Sequence, residues 1–282
     1  MILDRLRRLW SPAPAMRPAR LGLALGGGAV RGAAHLGVLA VLEREGIRPD
    51  VVAGVSAGAI VGAGLAAGVP TADMVEVLRN SSWLRIATPA WLSKLSMLDS
   101  SPLGALIEKT TSATDFASLG IPFAAIACDL LTGRQVVMDS GSLREAVVAS
   151  SAIPGLFEPV RRGSEMLVDG GLVVNVPVQA ARHLGADYVL GVDIMGIVEG
   201  IAEPKELRDV ILLSWEIVQH QSDTWRVPPD MLVCPAVGAM NPWDFSRVND
   251  AYDAGFAAME AALPQLRADL ACGVPVETGV SA

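Results

Sequence analysis

Cysteine and histidine are both scarce in this 282-residue chain, with three of each. Cys128, Cys234 and Cys272 are far apart, odd in number and form no C-x-x-C pair. That excludes a disulfide framework and gives no zinc-ligand spacing. Scattered free thiols fit a reducing cytoplasm, which is the location expected. No metal or cofactor is expected either. Charge is sparse as well: charged residues make up 18% of the chain and the net charge is −8. With no basic stripe to meet phosphates, nucleic acid is not an expected partner. Nothing in the sequence specifies an oligomeric state.

The first twenty residues, MILDRLRRLWSPAPAMRPAR, lack the continuous apolar run of a secretory signal. Within residues 1–10, Ile2, Leu3, Leu6, Leu9 and Trp10 recur at helical spacing, with Arg5, Arg7 and Arg8 between them. This pattern suits a short helix lying on an anionic membrane surface, that is, a peripheral contact at the inner face. Pro/Ala-rich residues 11–19 then read as a linker.

Apolar residues, by contrast, make up 51% of the chain, ample for a large core. The longest uncharged run, VVAGVSAGAIVGAGLAAGVPTA (51–72), is long enough to span a bilayer. Its many glycines and its terminal G-V-P fit a strand, a sharp turn and a buried helix better. RLGLALGGG reads as a strand entering a glycine loop, and AVRGAAHLGVLAVLEREG as a helix stopping at Gly46. PDVVAGVS is a second strand and AGAIVGAGLAAG a second helix. Such alternation predicts a parallel sheet covered on both faces. Farther on, IPFAAIACDL, RQVVMD, EMLVD and ADYVLGVDI read as strands, and LREAVVASSAIP as a helix ending at Pro154. Residues 71–118 show less regular patterning. From about Pro204 the chain reads as mainly helical, packed on the same domain.

Three segments carry chemistry. GVSAG (54–58) is a G-x-S-x-G elbow between strand and helix. Its small residues allow a strained turn, and the following helix would bring its positive dipole end to Ser56. GGGAVRG (26–32) is a second strand-to-helix loop, able to aim backbone N–H groups at a phosphate or an oxyanion. It is no dinucleotide fingerprint, because Arg31 takes the third glycine position and Asp50 precedes its strand; nor is there a G-K-[ST]. DGG (169–171) sets an aspartate at a strand end in an open turn.

In this order the segments resemble the patatin-like phospholipase family, in its bacterial RssA-like and neuropathy-target-esterase-like branch. ASSAIPGLFEPV (149–160), ACDLLTGRQVV and DGGLVVNVPV extend the likeness, which covers about Leu21 to Asp193. The resemblance implies a three-layer α/β/α fold with a mostly parallel central sheet. It also implies a serine acyl hydrolase of phospholipase A, lysophospholipase or carboxylesterase type, acting on lipid or lysolipid esters. Ser56 would be the nucleophile and Asp169 its base, a dyad without histidine. The N–H groups of Gly27, Gly28 and Ala29 would form the oxyanion hole, with Arg31 steadying the loop. Asn175 and Pro177 would shape the turn after Asp169, and His35, His183 and His220 would be structural. Ala29 stands where some members carry a fourth glycine, which suits a backbone free of positive φ at that position. Two competing readings are a non-catalytic scaffold of the same fold and a nucleotide-binding module. Finally, Trp83, Trp91 and Met97, with Leu92, Leu95 and Leu98, are expected to cap Ser56 or to wall an acyl-chain groove.

Overall fold

The computed structural model describes residues 16–195, 203–222 and 228–275. The amphipathic segment expected over residues 1–10 lies outside the described residues. Eight strands form the central sheet: β1 Leu21–Leu25, β2 Val51–Val55, β3 Phe123–Asp129, β4 Arg134–Met138, β5 Val160–Arg162, β6 Glu165–Asp169, β7 Tyr188–Val192 and β8 Met231–Val233. Their order is β8-β7-β1-β2-β3-β6-β5, with β4 also bonded to β3. The five strands from β8 to β3 are parallel. β4, β5 and β6 form the antiparallel flank.

Side chains alternate across this sheet with the two-residue period of a strand. Leu23, Leu25, Val52 and Ala125 face the larger core. Ala24, Val51, Ala53 and Ala124 face a smaller core on the other side. The larger face is covered by α1 Ala33–Arg44, α2 Ala57–Ala66 and α9 Val248–Cys272; α7 Val178–His183 covers the smaller. The result is the three-layer α/β/α arrangement. α1 and α9 pack backbone to backbone, because a Cβ at Gly255 would lie 1.9 Å from the Ala34 carbonyl oxygen. α9 runs on through Pro264, whose ring lies on the exposed side.

Residues 71–118 are more ordered than their patterning predicts. They contain α3 Thr71–Arg79, α4 Trp83–Ile86 and α5 Ser101–Thr111. They also contain two strands, Thr88–Pro89 and Ser96–Asp99. The second of these pairs with Gly155–Phe157, a partner far along the chain that leaves no local signal. α6, Leu143–Ser150, stops short of Pro154, since a residue before proline is disfavoured in the helical region and the turn begins at Ser151. α8, Leu207–Ser222, brings Trp215 and Leu212 against Ile153 and Phe157 in a third cluster.

Candidate active site

The sheet itself brings Ser56 and Asp169 together. β2 runs along one edge of β3 until Val55 pairs with Ile126. β6 arrives from the opposite direction on that same edge and ends where Asp169 pairs with Ala127, the next residue. The two strands therefore meet tip to tip, with Ser56 leaving one and Asp169 finishing the other. At Ser56 the chain turns sharply, with φ 51° and ψ −117°, a conformation costly for any residue but glycine. α2 starts at the next residue, with no acidic side chain in its first turn. Gly58 is required by close approach: a Cβ there would lie 2.1 Å from the Leu25 carbonyl oxygen. The elbow is pinned from behind. The Ser56 N–H donates to Ser150 Oγ at 3.0 Å, and that hydroxyl donates to the Ile126 carbonyl at 2.6 Å.

Asp169 is fully buried. Burial pushes its carboxyl up to about 7, opposed by the Gly171 amide and the Ser56 hydroxyl. Oδ1 accepts from Gly171 N–H at 2.9 Å. Oδ2 is buried with no hydrogen-bond partner among the described residues, while the Ser56 hydroxyl lies close enough to the carboxyl to favour its charged form.

The glycine loop closes the site from the other side and corrects two expectations. Gly27 cannot serve an oxyanion, because its N–H donates to Asn175 Oδ1 at 2.9 Å. Asn175 thus reaches across to the loop as well as following the Asp169 turn. Among the described residues, the N–H groups of Gly28 and Ala29 have no protein acceptor. Ala29 adopts φ 51°, so the left-handed conformation is used there without glycine. Its neighbours hold it. Val30 N–H donates to the Pro242 carbonyl, and Arg31 is buried with bonds to the carbonyls of Met195, Gly238 and Met240 and to Glu216. His35 lies within hydrogen-bond distance of the Gly26 carbonyl through Nε2, 2.8 Å. A carbonyl only accepts, so Nε2 carries the proton; burial holds the ring's pKa down at about 4, hence neutral.

From Ser56 an apolar cavity of about 160 Å³ runs between α1, α2, α3 and α5, walled by Leu36, Ile60, Met74, Leu78, Ile107 and Phe157. A second, smaller recess of about 20 Å³ opens on the other side of Ser56 toward Arg31, Glu216 and Gln219. Trp83 lines the large cavity. Trp91 and Met97 are outside its lining and exposed. His183 and His220 are exposed, and neither lines the cavity or the recess.

The patatin-like phospholipase family profile matches residues 23–182, from β1 to the end of α7. The chain belongs to this family. A patatin-like phospholipase domain-containing protein of Caenorhabditis elegans is 35% identical over 64% of the chain and 14% of its own length. An NTE family protein of Mycobacterium tuberculosis is 33% identical over 66% of the chain and 52% of its own. The lysophospholipase NTE1 of Mycosarcoma maydis is 32% identical over 73% of the chain and 11% of its own. The chain thus spans about half or less of these relatives. VipD from Legionella pneumophila shares the fold, with a TM-score of 0.50 at 15% identity over 87% of this chain and 68% of that one.

Two members of this patatin-like site escaped the sequence reading. Gln219 is buried, and its amide nitrogen would lie 2.4 Å from a Cβ at Gly171 and 2.9 Å from one at Gly27. It therefore sits between the glycine loop and the Asp169 turn, delivered by a helix with no motif of its own. Ser150 lies inside the A-S-S-A-I-P-G block, but only the fold shows its hydroxyl holding the elbow. No helix among the described residues is long and apolar enough to cross a membrane.

Proposed function

We propose that this chain hydrolyses carboxylic esters of lipids through a Ser56–Asp169 dyad and an acyl-enzyme. The observation that carries this reading is the buried Asp169, set against Ser56 at the head of an apolar cavity. The family and the lysophospholipase named among the relatives support the substrate class.

Ser56 Oγ attacks the ester carbonyl carbon while its proton passes to Asp169 Oδ2. Burial has already raised that carboxylate's basicity toward neutral pH. The negative charge moves to the former carbonyl oxygen, which the free N–H groups of Gly28 and Ala29 and the N-terminus of α2 stabilise; one such donor is worth about 2.7–4 kcal/mol. The C–O bond breaks, and Asp169 returns its proton to the leaving alcohol. Water then attacks the acyl carbon, losing a proton to Asp169; the Ser56–acyl C–O bond breaks, Asp169 passes that proton to Ser56 Oγ, and the carboxylic acid is released. The acyl chain occupies the large cavity, and the alcohol leaves through the smaller recess beside Arg31, Glu216 and Gln219.

A fluorophosphonate probe tests this directly. Wild type should be labelled and should hydrolyse a p-nitrophenyl acyl ester; Ser56→Ala should do neither. Equal labelling of Ser56→Ala, or hydrolysis that survives in it, would remove Ser56 from the chemistry.

A further inference from the structure

The hairpin made by the strands Thr88–Pro89 and Ser96–Asp99 is built inside out. Its tip turns at residues 90–93, where Ser93 N–H donates to the Ala90 carbonyl at 3.0 Å. Two serines of the tip, Ser93 and Ser96, are tied to the body. Ser93 and Ser96 both donate to Glu158 Oε2, the latter at 2.7 Å, and Ser93 Oγ also accepts the amides of Leu95 and Ser96. These hydroxyls hold the Glu158 carboxyl below its usual range. The large apolar side chains face out: Trp91 is 88% and Leu92 99% exposed, flanked by exposed Leu95 and Met97. A hairpin adapted only to water would show the reverse arrangement.

Its position relates this tip to the site. α4, immediately upstream, contributes Trp83 and Ile86 to the cavity wall and exposes Leu84 and Arg85. Leu98, on the second strand, is in register with Phe157, another wall residue. The hairpin therefore rises from the cavity rim. Three exposed basic residues stand around it, Lys94 between Leu92 and Leu95, Arg85 beside Leu84 and Arg161 near Glu158, against two acidic ones, exposed Glu158, held by Ser93 and Ser96, and half-buried Asp99 on the second strand. Three basic groups against two acidic ones leave a small positive excess here, in a chain of net charge −8.

We propose that this hairpin is an interfacial anchor that seats the cavity rim on an anionic lipid bilayer, with Trp91 and Leu92 entering the headgroup boundary. Tryptophan suits that zone because its ring is apolar and its N–H polar, while Lys94 and Arg85 can reach lipid phosphates. The clamp on Glu158 keeps the tip ordered before contact, so little ordering accompanies insertion. Trp91 thus serves the membrane contact instead of walling the acyl groove. The inference rests on the lipid-ester reading of the cavity, and it is tested without turnover.

Vesicles of phosphatidylcholine with 30% phosphatidylglycerol are the probe, mixed with the full chain carrying Ser56→Ala. A Trp91→Ala/Leu92→Ser pair in that background should weaken vesicle partitioning by about tenfold or more, from the apolar area withdrawn. Lys94→Gln should weaken it by about fivefold, an effect that disappears at high salt. In the catalytically intact chain, the Trp91/Leu92 pair should slow hydrolysis of vesicle-borne esters and leave a micromolar soluble ester within about twofold. Unchanged partitioning in the folded double variant would overturn the anchor. So would a wild-type dimer in light scattering that the double variant dissolves, because the face would then bind a second copy. Partitioning that depends on Trp91 in a chain without any hydrolase activity would overturn the catalytic reading and leave the anchor standing.

Discussion

The backbone N–H of Ser56 donates to the hydroxyl of Ser150 at 3.0 Å, and this bond holds the strained elbow. Ser150→Ala leaves two buried groups, Ser56 N–H and the Ile126 carbonyl, without their partner. The expected cost is about 1–3 kcal/mol of stability, read from urea denaturation. Because the elbow would relax, kcat on a soluble ester should fall by about tenfold to a hundredfold with KM little changed. An unchanged kcat would mean that the turn holds its shape without the bond.

Ser56→Ala and Asp169→Asn should each remove nearly all activity, and the double variant should be little worse, because each group acts only with the other. His183→Ala and His220→Ala, both at exposed positions, should stay within about tenfold of wild type, since losing a general base costs about a hundredfold or more. Steady-state kinetics on the five purified variants and wild type decide this. A well-folded histidine variant with a hundredfold loss beside an active Asp169→Asn would overturn the dyad.

Activity should follow ionisation of Asp169. The base is competent only when deprotonated, so kcat/KM should rise with pH and level off above about 7. A limb in the ordinary carboxylate range, near 4, would place the base elsewhere.

Stability should respond to the same group with the opposite sense. Asp169 has a folded pKa raised from 3.8 to about 7, so its protonated form favours the native state below pH 4 and that contribution is lost as pH rises through 7. The total is on the order of 4 kcal/mol. His35 has a folded pKa lowered from 6.5 to about 4, so its contribution is present above pH 6.5 and is lost as pH falls toward 4. The two slopes oppose each other across the same window. Asp169→Asn removes one of them. The variant should be more stable than wild type at pH 8 and should lose roughly 3 kcal/mol between pH 7 and pH 4, where wild type stays nearly level. Denaturation midpoints at pH 4, 6 and 8 would show it, and parallel curves for the two proteins would refute it.

Ala29→Gly should stabilise the fold. A left-handed alanine costs about 1 kcal/mol, and the entropy that glycine adds to the unfolded chain returns part of the gain. The net should be a rise of roughly 1–3 °C in Tm, with the free N–H at position 29 kept. A fall in Tm would mean that the alanine methyl packs in the cavity wall more favourably than its backbone is strained.

Much of this molecule was legible locally. The alternation of apolar strands and small-residue helices announced a parallel sheet, and G-V-S-A-G announced a strained turn, because only small residues fit where Gly58 meets the end of β1. D-G-G marked a strand-end aspartate in the same way. Each is a constraint that a few neighbouring residues impose on their own backbone. What the sequence left open depends on partners far along the chain. Residue type cannot say that Gly27 N–H is already taken by Asn175 while Gly28 and Ala29 keep theirs free. Nor can it say that Trp91 points to solvent while Trp83 lines the cavity, since both are tryptophans in one segment. The antiparallel entry of β6 beside β3 places Asp169 against Ser56, and no spacing between residues 56 and 169 encodes that meeting. Burial, the raised pKa and the free N–H groups follow from which backbone groups pair across the sheet, and that pairing exists only once the whole chain has folded.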